Sequence, residues 1–296
     1  MRVLVTRPAG QSDRLVDVLT DAGIKTSCLP LLHLNAVTDT AKIEAIKKQW
    51  LPLSQQDFVI FISSNAVKYT AEFLAKHNLI WPSSLPCIPI GGATAKAIQD
   101  VGWLLKHAMD VDVNVDVNVN ENNESHNQAE KPPSAALSAY SSEKLLAELS
   151  QLDVSEKRIT IFRGEGGREL LADNLTSRGA SVNYCEMYQR QHPEYSREQF
   201  EQALGQNLTA ILFASGETLE NFNRHVERDG LQARVEGLPV IVPSERIKDL
   251  AERNGFKNIL IAVNASAEGF LQVINQQLLK KSRSLKSSLA IKSKLK

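Results

Sequence analysis

The sequence predicts an α/β protein of two similar units, each a parallel sheet with helices on both faces, with a ligand cleft between them. Three observations carry this. Residues 3–32 read without a gap against residues 159–188 at an offset of 156, so that Arg7 meets Arg163, Gly10 meets Gly166, Leu15 meets Leu171, Leu19 meets Leu175 and Gly23 meets Gly179. Short apolar runs alternate along the chain with amphipathic stretches. Nearly every apolar run is followed by a small, polar or glycine-rich segment. Self-similarity at so long a spacing means two copies of a domain-sized unit rather than a solenoid.

The elements follow in chain order. The apolar run 3–6 is a strand, and 11–22 is a helix with Leu15, Val18, Leu19 and Ala22 on one face and Gly23 as its stop. Strand 58–62 leads into helix 66–76, and strand 87–90 into helix 94–100. Strand 159–162 opens the second copy, with helix 168–178 built on Leu170, Leu171 and Leu175 and stopped by Gly179. Strand 210–213 precedes helix 218–226, and strand 239–242 precedes helix 246–254. Runs that do not alternate with polar residues belong to strands buried on both faces.

Two weaker repeats refine the register. At offset 151, Ser64 in FISSNAV meets Ser215 in LFASGET; at offset 125, SSEKLL (141–146) meets SAEGFL (266–271). The drop between those offsets puts 26 extra residues in the first copy, on a low-complexity Asp/Asn/Val run at about 109–137, expected as a surface loop. Asp110, Asp112, Asn114, Asp116 and Glu121 in that run occupy ligand positions of a calcium loop. Val115, however, stands where such a loop needs glycine, so no metal is expected there.

Composition excludes several classes. The 296 residues are 43% hydrophobic and 23% charged, enough apolar material for two cores. The apolar stretches are strand-sized rather than membrane-spanning, and the chain starts directly on a strand, so a cytoplasmic protein without membrane contact is expected. Cys28, Cys87 and Cys185 lie far apart without CxxC spacing, which argues against a disulfide framework or structural zinc. The zero net charge hides an asymmetry. The last 17 residues carry seven bases and no acid, leaving 27 bases against 34 acids in the rest. That tail is expected to be disordered, with no nucleic-acid role. The six histidines are scattered, GEGG is not a dinucleotide fingerprint, and no GxSxG, HExxH or Walker A motif is present, so neither metal nor cofactor is expected.

In parallel sheets, ligands gather outside the carboxyl ends of the strands. That rule selects 7–10, 63–65, 91–94, 163–166, 215–217 and 243–245. Most lead into helix N-termini, whose free N–H groups and partial positive charge receive anions, so several together would hold a polyanion on an acidic body. A plainer reading stands beside this. Ser64, Ser215 and Ser244 are equally helix N-caps, and Arg7 and Arg163 equally brace a turn or bridge the units.

At these same segments the chain resembles the uroporphyrinogen-III synthase family. The matching motifs are VLVTRPAGQSDRL, FISSNAV, IPIGGATAKAI, FRGEGGRELLADNLTSRGA, EMYQR, ILFASGETLENF and VPSERIKDLA, in the family's order over nearly residues 1–275. The Asp/Asn/Val insertion and the basic tail depart from the pattern. The resemblance implies two flavodoxin- or Rossmann-like lobes joined by two extended connections. One lobe would hold 1–36 plus 191–279 and the other 37–190, with a separate tail at 280–296. LLHLNAV and YQRQHPE become the linkers, open to hinge motion. The repeat alone fits contiguous halves equally well.

The resemblance also implies an activity. Hydroxymethylbilane loses its terminal hydroxyl and closes into a macrocycle with the last pyrrole ring inverted, a task of folding the substrate more than of bond activation. Tyr188 matches the family's cleft tyrosine, a phenol able to donate a proton to the leaving hydroxyl. Arg7, Ser64, Asn65, Gly92, Thr94, Arg163, Ser215, Gly216 and Ser244 are assigned to binding the substrate's carboxylate arms. A monomer without cofactor is implied, in possible transient contact with the enzyme that makes the substrate. The alternatives are a non-catalytic bilobal receptor for a small polycarboxylate and an inactive paralogue that keeps the fold.

Overall fold

A strand without a polar face has to be covered on both sides, and this chain meets that demand twice. A computed structural model of the protein describes residues 1–50, 53–106, 149–150, 152–166 and 169–279. The 109–137 run with its calcium-like pattern, the SSEKLL block, Gly167 and Arg168 of the GEGGREL segment and the tail 280–296 lie outside the described residues. The chain divides into two compact units. The first holds Met1–Leu34 together with Gln191 onward, and the second Asn35–Arg190.

The described strands are β1 (Arg2–Val5), β2 (Lys25–Cys28), β3 (His33–Ala36), β4 (Phe58–Phe61), β5 (Cys87–Pro89), β6 (Arg158–Gly164), β7 (Ser181–Gln191), β8 (Ala210–Leu212), β9 (Val240–Val242) and β10 (Ile259–Ile261). In the first unit they lie in the order β10-β9-β8-β1-β2, all neighbours parallel. Successive residues point to opposite faces. Leu4, Ile211, Phe213, Val240 and Val242 therefore share one core with Phe200, Phe222 and Ile247 from helices Arg197–Leu204, Gly216–Asp229 and Glu245–Arg253. Val3, Val5, Ala210, Leu212 and Ile241 share the other with Leu15 and Leu19 of helix Asp13–Asp21 and Phe270 of helix Ala267–Val273.

The second unit has the order β3-β7-β6-β4-β5, with a parallel bridge from Cys87 to Leu105 beyond β5. Phe58, Ile60, Ile88, Ile159 and Ile161 pack with Leu171 and Leu175 of helix Leu170–Ser177. The opposite face is aromatic. Phe61 and Phe162 stack at 4.8 Å, Trp81 and Trp103 at 4.0 Å, and Trp50 of helix Thr40–Trp50 meets Phe73, Trp81 and Phe162.

The two sheets repeat one order, β2-β1-β8-β9 matching β7-β6-β4-β5. The elements also correct the second repeat. Helix Ser64–His77 and helix Gly216–Asp229 have equal length, and their left-handed C-caps are Asn78 and Gly230. Ser63, not Ser64, is therefore the counterpart of Ser215, at offset 152. The expected linkers are strand: β3 covers His33–Ala36 of LLHLNAV, and β7 runs unbroken to Gln191 through the start of YQRQHPE. Beyond the expected elements, β3, β10 and helices Thr40–Trp50, Arg197–Leu204, Gln232–Val235 and Ala267–Val273 complete the units. Among the described residues no helix is long and apolar enough to cross a membrane.

Candidate functional site

Parallel pairing brings all the carboxyl ends of a sheet to one edge. In the second unit that edge carries Ser63, Ser64 and Asn65 after β4, Gly92 and Thr94 after β5, Arg163 near the end of β6, and Tyr188 in β7. In the first unit it carries Arg7 after β1, Ser215 and Gly216 after β8, and Ser244 after β9.

Tyr188 owes its setting to an irregularity. The β6–β7 register pairs Arg163 with Glu186 but Gly164 with Tyr188, a bulge that leaves Met187 without a counterpart on β6. Met187 and Tyr188 are both buried, Tyr188 to 2% exposure. The ring lies on the bare backbone of Gly164, where a Cβ would come within 2.4 Å of Tyr188 Cε2. Tyr69 of helix Ser64–His77 stacks on it at 5.1 Å, and burial raises the Tyr69 pKa. The Tyr188 carbonyl accepts the Glu165 N–H at 2.7 Å, and its phenol oxygen lies 3.3 Å from Ser63 Oγ.

The serines divide by role. Ser63 is the N-cap of its helix, its Oγ accepting the Ala66 N–H at 3.1 Å. Ser64 is already the first helical residue, and Asn65 follows it. Ser215 is a true cap, accepting the Thr218 N–H at 3.3 Å. Ser244 holds the N-cap position but makes no side-chain capping bond. Gly92 starts helix Gly92–Asp100 behind Gly91, whose φ of +89° suits only glycine. Thr94 is buried and donates its hydroxyl to the Ile90 carbonyl at 2.7 Å. Gly216 has a packing reason as well, since a Cβ there would meet Leu250 Cδ2 at 2.9 Å.

Both arginines are held within their own units. Arg163 is buried, its Nε and Nη2 donating to Glu186 Oε1 at 3.1 and 2.9 Å while its guanidinium lies 3.6 Å from the Tyr184 ring centroid. Glu186 Oε1 also accepts the Gly166 N–H at 3.2 Å, so this pair fastens the turn after β6 to β7. Arg163 sits inside β6 rather than in the turn that follows it. Lys42 and Glu165 pair at 2.5 Å on the same turn, which raises the lysine and lowers the glutamate pKa. Arg7 donates through Nη2 to the Ala265 carbonyl and lies 5.7 Å from the Phe270 ring centroid; burial lowers its pKa.

Ser63 lies in a segment that the sequence selects, yet neither it nor Tyr69, Gly164 or Glu186 is singled out there as a site residue. Ser63 was open to detection by matching helix ends instead of identical letters. Gly164 also lies in a selected segment, 163–166, but its contact with Tyr188, like that of Tyr69, joins residues far apart in sequence.

A protein-family model described as uroporphyrinogen-III synthase HemD matches residues 13–272. The chain is 27% identical over 276 residues to the uroporphyrinogen-III synthase of Salmonella typhimurium, covering 93% of this chain and 100% of that protein. It is 32% identical over 200 residues to that of Proteus mirabilis, covering 68% and 85%. Among solved structures, a mutant uroporphyrinogen III synthase from the extreme thermophile Thermus thermophilus aligns with a TM-score of 0.60 at 14% identity, covering 95% and 99%. The enzyme from Helicobacter pylori aligns with a TM-score of 0.55 at 16% identity, covering 92% and 97%.

Proposed function

The chain belongs to the uroporphyrinogen-III synthase family, and from that premise we propose that it cyclises hydroxymethylbilane with inversion of the terminal pyrrole ring, with Tyr188 as the source of the proton that leaves with the hydroxyl. The match over residues 13–272 carries the activity. It is an enzyme of tetrapyrrole biosynthesis acting on a small molecule, and the receptor alternative is not favoured.

The chemistry asks little of any single side chain. The pyrrole nitrogen pushes the hydroxyl out, so modest acid assistance suffices. What the chain must supply is a fixed conformation of the bilane. Carboxylate arms suit helix N-termini, whose partial positive charge favours anions, and Ser64, Asn65, Gly92, Ser215, Gly216 and Ser244 lie at such ends. In this reading Ser64 and Ser244, whose hydroxyls do no capping, contact the arms through their side chains, while Ser215 and Thr94 shape the backbone that does so. Arg7 and Arg163 serve by holding their turns. A cytoplasmic monomer, taking its unstable substrate from the preceding enzyme, is part of the same proposal; sedimentation of the purified protein tests the monomer.

The decisive experiment supplies freshly made hydroxymethylbilane and resolves the isomers after oxidation. The expected product is the inverted isomer, formed faster than spontaneous closure. Only the uninverted isomer, at the spontaneous rate, would overturn the assignment.

A further inference from the structure

Tyr188 is enclosed to a degree that conflicts with direct contact to a large substrate. Its residue exposure is 2%, with Gly164 backbone beneath the ring and Tyr69 above it. The ring has no room to swing out through Gly164, and its hydroxyl points at one described side-chain partner, Ser63 Oγ at 3.3 Å. Ser63 is half-buried at the carboxyl edge of β4. Its oxygen already accepts the Ala66 N–H. That bond occupies a lone pair and leaves the hydroxyl proton free to be passed on.

We propose that Ser63 is the group that touches the substrate and that Tyr188 acts through it as a positioning and proton-supplying residue. The inference rests on the assignment of the chain as the cyclising enzyme. In the step, the bond between the terminal methylene carbon and its hydroxyl oxygen breaks, with the pyrrole nitrogen supplying electrons. The leaving oxygen takes the Ser63 proton and departs as water. Ser63 takes the Tyr188 proton, and the resulting phenolate is reprotonated by the hydrogen that the terminal pyrrole carbon loses when the ring regains aromaticity. The sum is loss of one water, with no oxidant or reductant. The 3.3 Å separation is long for such a transfer; contacts of this kind shorten in the substrate complex.

The test uses the full chain. Ser63→Asn and Ser63→Gly keep a residue that caps helices well or at small cost but remove the hydroxyl proton, whereas Ser63→Thr keeps both. We expect Ser63→Asn and Ser63→Gly to lower kcat by about 100-fold with KM changed less than about threefold, and Ser63→Thr to stay near wild type. Tyr188→Phe should lose a similar factor, and Tyr188→Phe combined with Ser63→Gly should be no worse than either alone, because one chain of proton transfer can be cut only once. A bilane whose leaving group departs without a proton should restore the rate of every variant. Thermal unfolding of each variant separates misfolding from lost chemistry. Wild-type kcat in the Ser63 variants, multiplied losses in the double variant, or no rescue by the altered leaving group would overturn the relay. If the wild-type chain itself gives no inverted isomer, the enzyme assignment fails instead.

Discussion

At the residue scale, missing atoms and buried protons carry the sharpest consequences. Gly164 is required by the ring that rests on it, not by its backbone angle. Gly164→Ala would put a methyl within 2.4 Å of Tyr188 Cε2 and 2.5 Å of Cζ. Overpacking of this kind costs about 1–3 kcal/mol, so urea unfolding should show that loss, and turnover should fall because the phenol leaves Ser63. The cysteines give a pH test. Burial pushes the Cys87 and Cys185 thiols up to about 12; Cys28 is exposed, though partial desolvation and Asp13 raise its thiol as well. Alkylation of the native protein at pH 8 should therefore mark Cys28 alone. In the unfolded chain a thiol ionises near its ordinary value of 9.0. Between about pH 9 and 12 the folded state keeps protons that the unfolded state has released. This contribution to stability is whole below pH 9 and is lost as pH rises toward 12. Urea midpoints measured over that window should decline less steeply in a Cys87→Ala, Cys185→Ala variant.

At the element scale, helix ends explain why similar serines do different work. Ser215 satisfies the Thr218 N–H, while Ser244, in the matching position of a later helix, satisfies none through its side chain. Ser215→Ala should cost about 1 kcal/mol in urea unfolding. Ser244→Ala should stay within about 0.5 kcal/mol and express its effect as a raised KM. Equal losses from the two would contradict the assignment. The bulge between β6 and β7 works at this scale too. It leaves Met187 without a partner on β6 and sets Tyr188 opposite Gly164. Strand 159–162 was legible as a short apolar run, but its extension to Gly164, and the bulge with it, depended on pairing with β7.

At the scale of the whole molecule, sequence halves and structural units do not coincide. β1 and β2 open the first copy yet share a sheet with β8, β9 and β10 of the second, while β6 and β7 join β4 and β5. A fragment spanning 35–190 holds every strand assigned to Asn35–Arg190 and part of β3, whereas a fragment spanning 1–150 cuts both sheets. The first should unfold cooperatively on heating and the second should not, as circular dichroism melts will show. Cooperative unfolding of 1–150 would contradict this division.

The alternation of strand and helix, the burial of strands on both faces and the glycine stops at Gly23 and Gly179 were present in the sequence, because each depends on residues within a few turns of one another. Strand order, the capture of Arg163 by Glu186 and the enclosure of Tyr188 were decided only by tertiary structure. Ser63 and Tyr188 stand 125 residues apart, and Arg163 and Glu186 stand 23 apart. Contacts over such distances are selected by how sheets pack and pair, and no local periodicity records them.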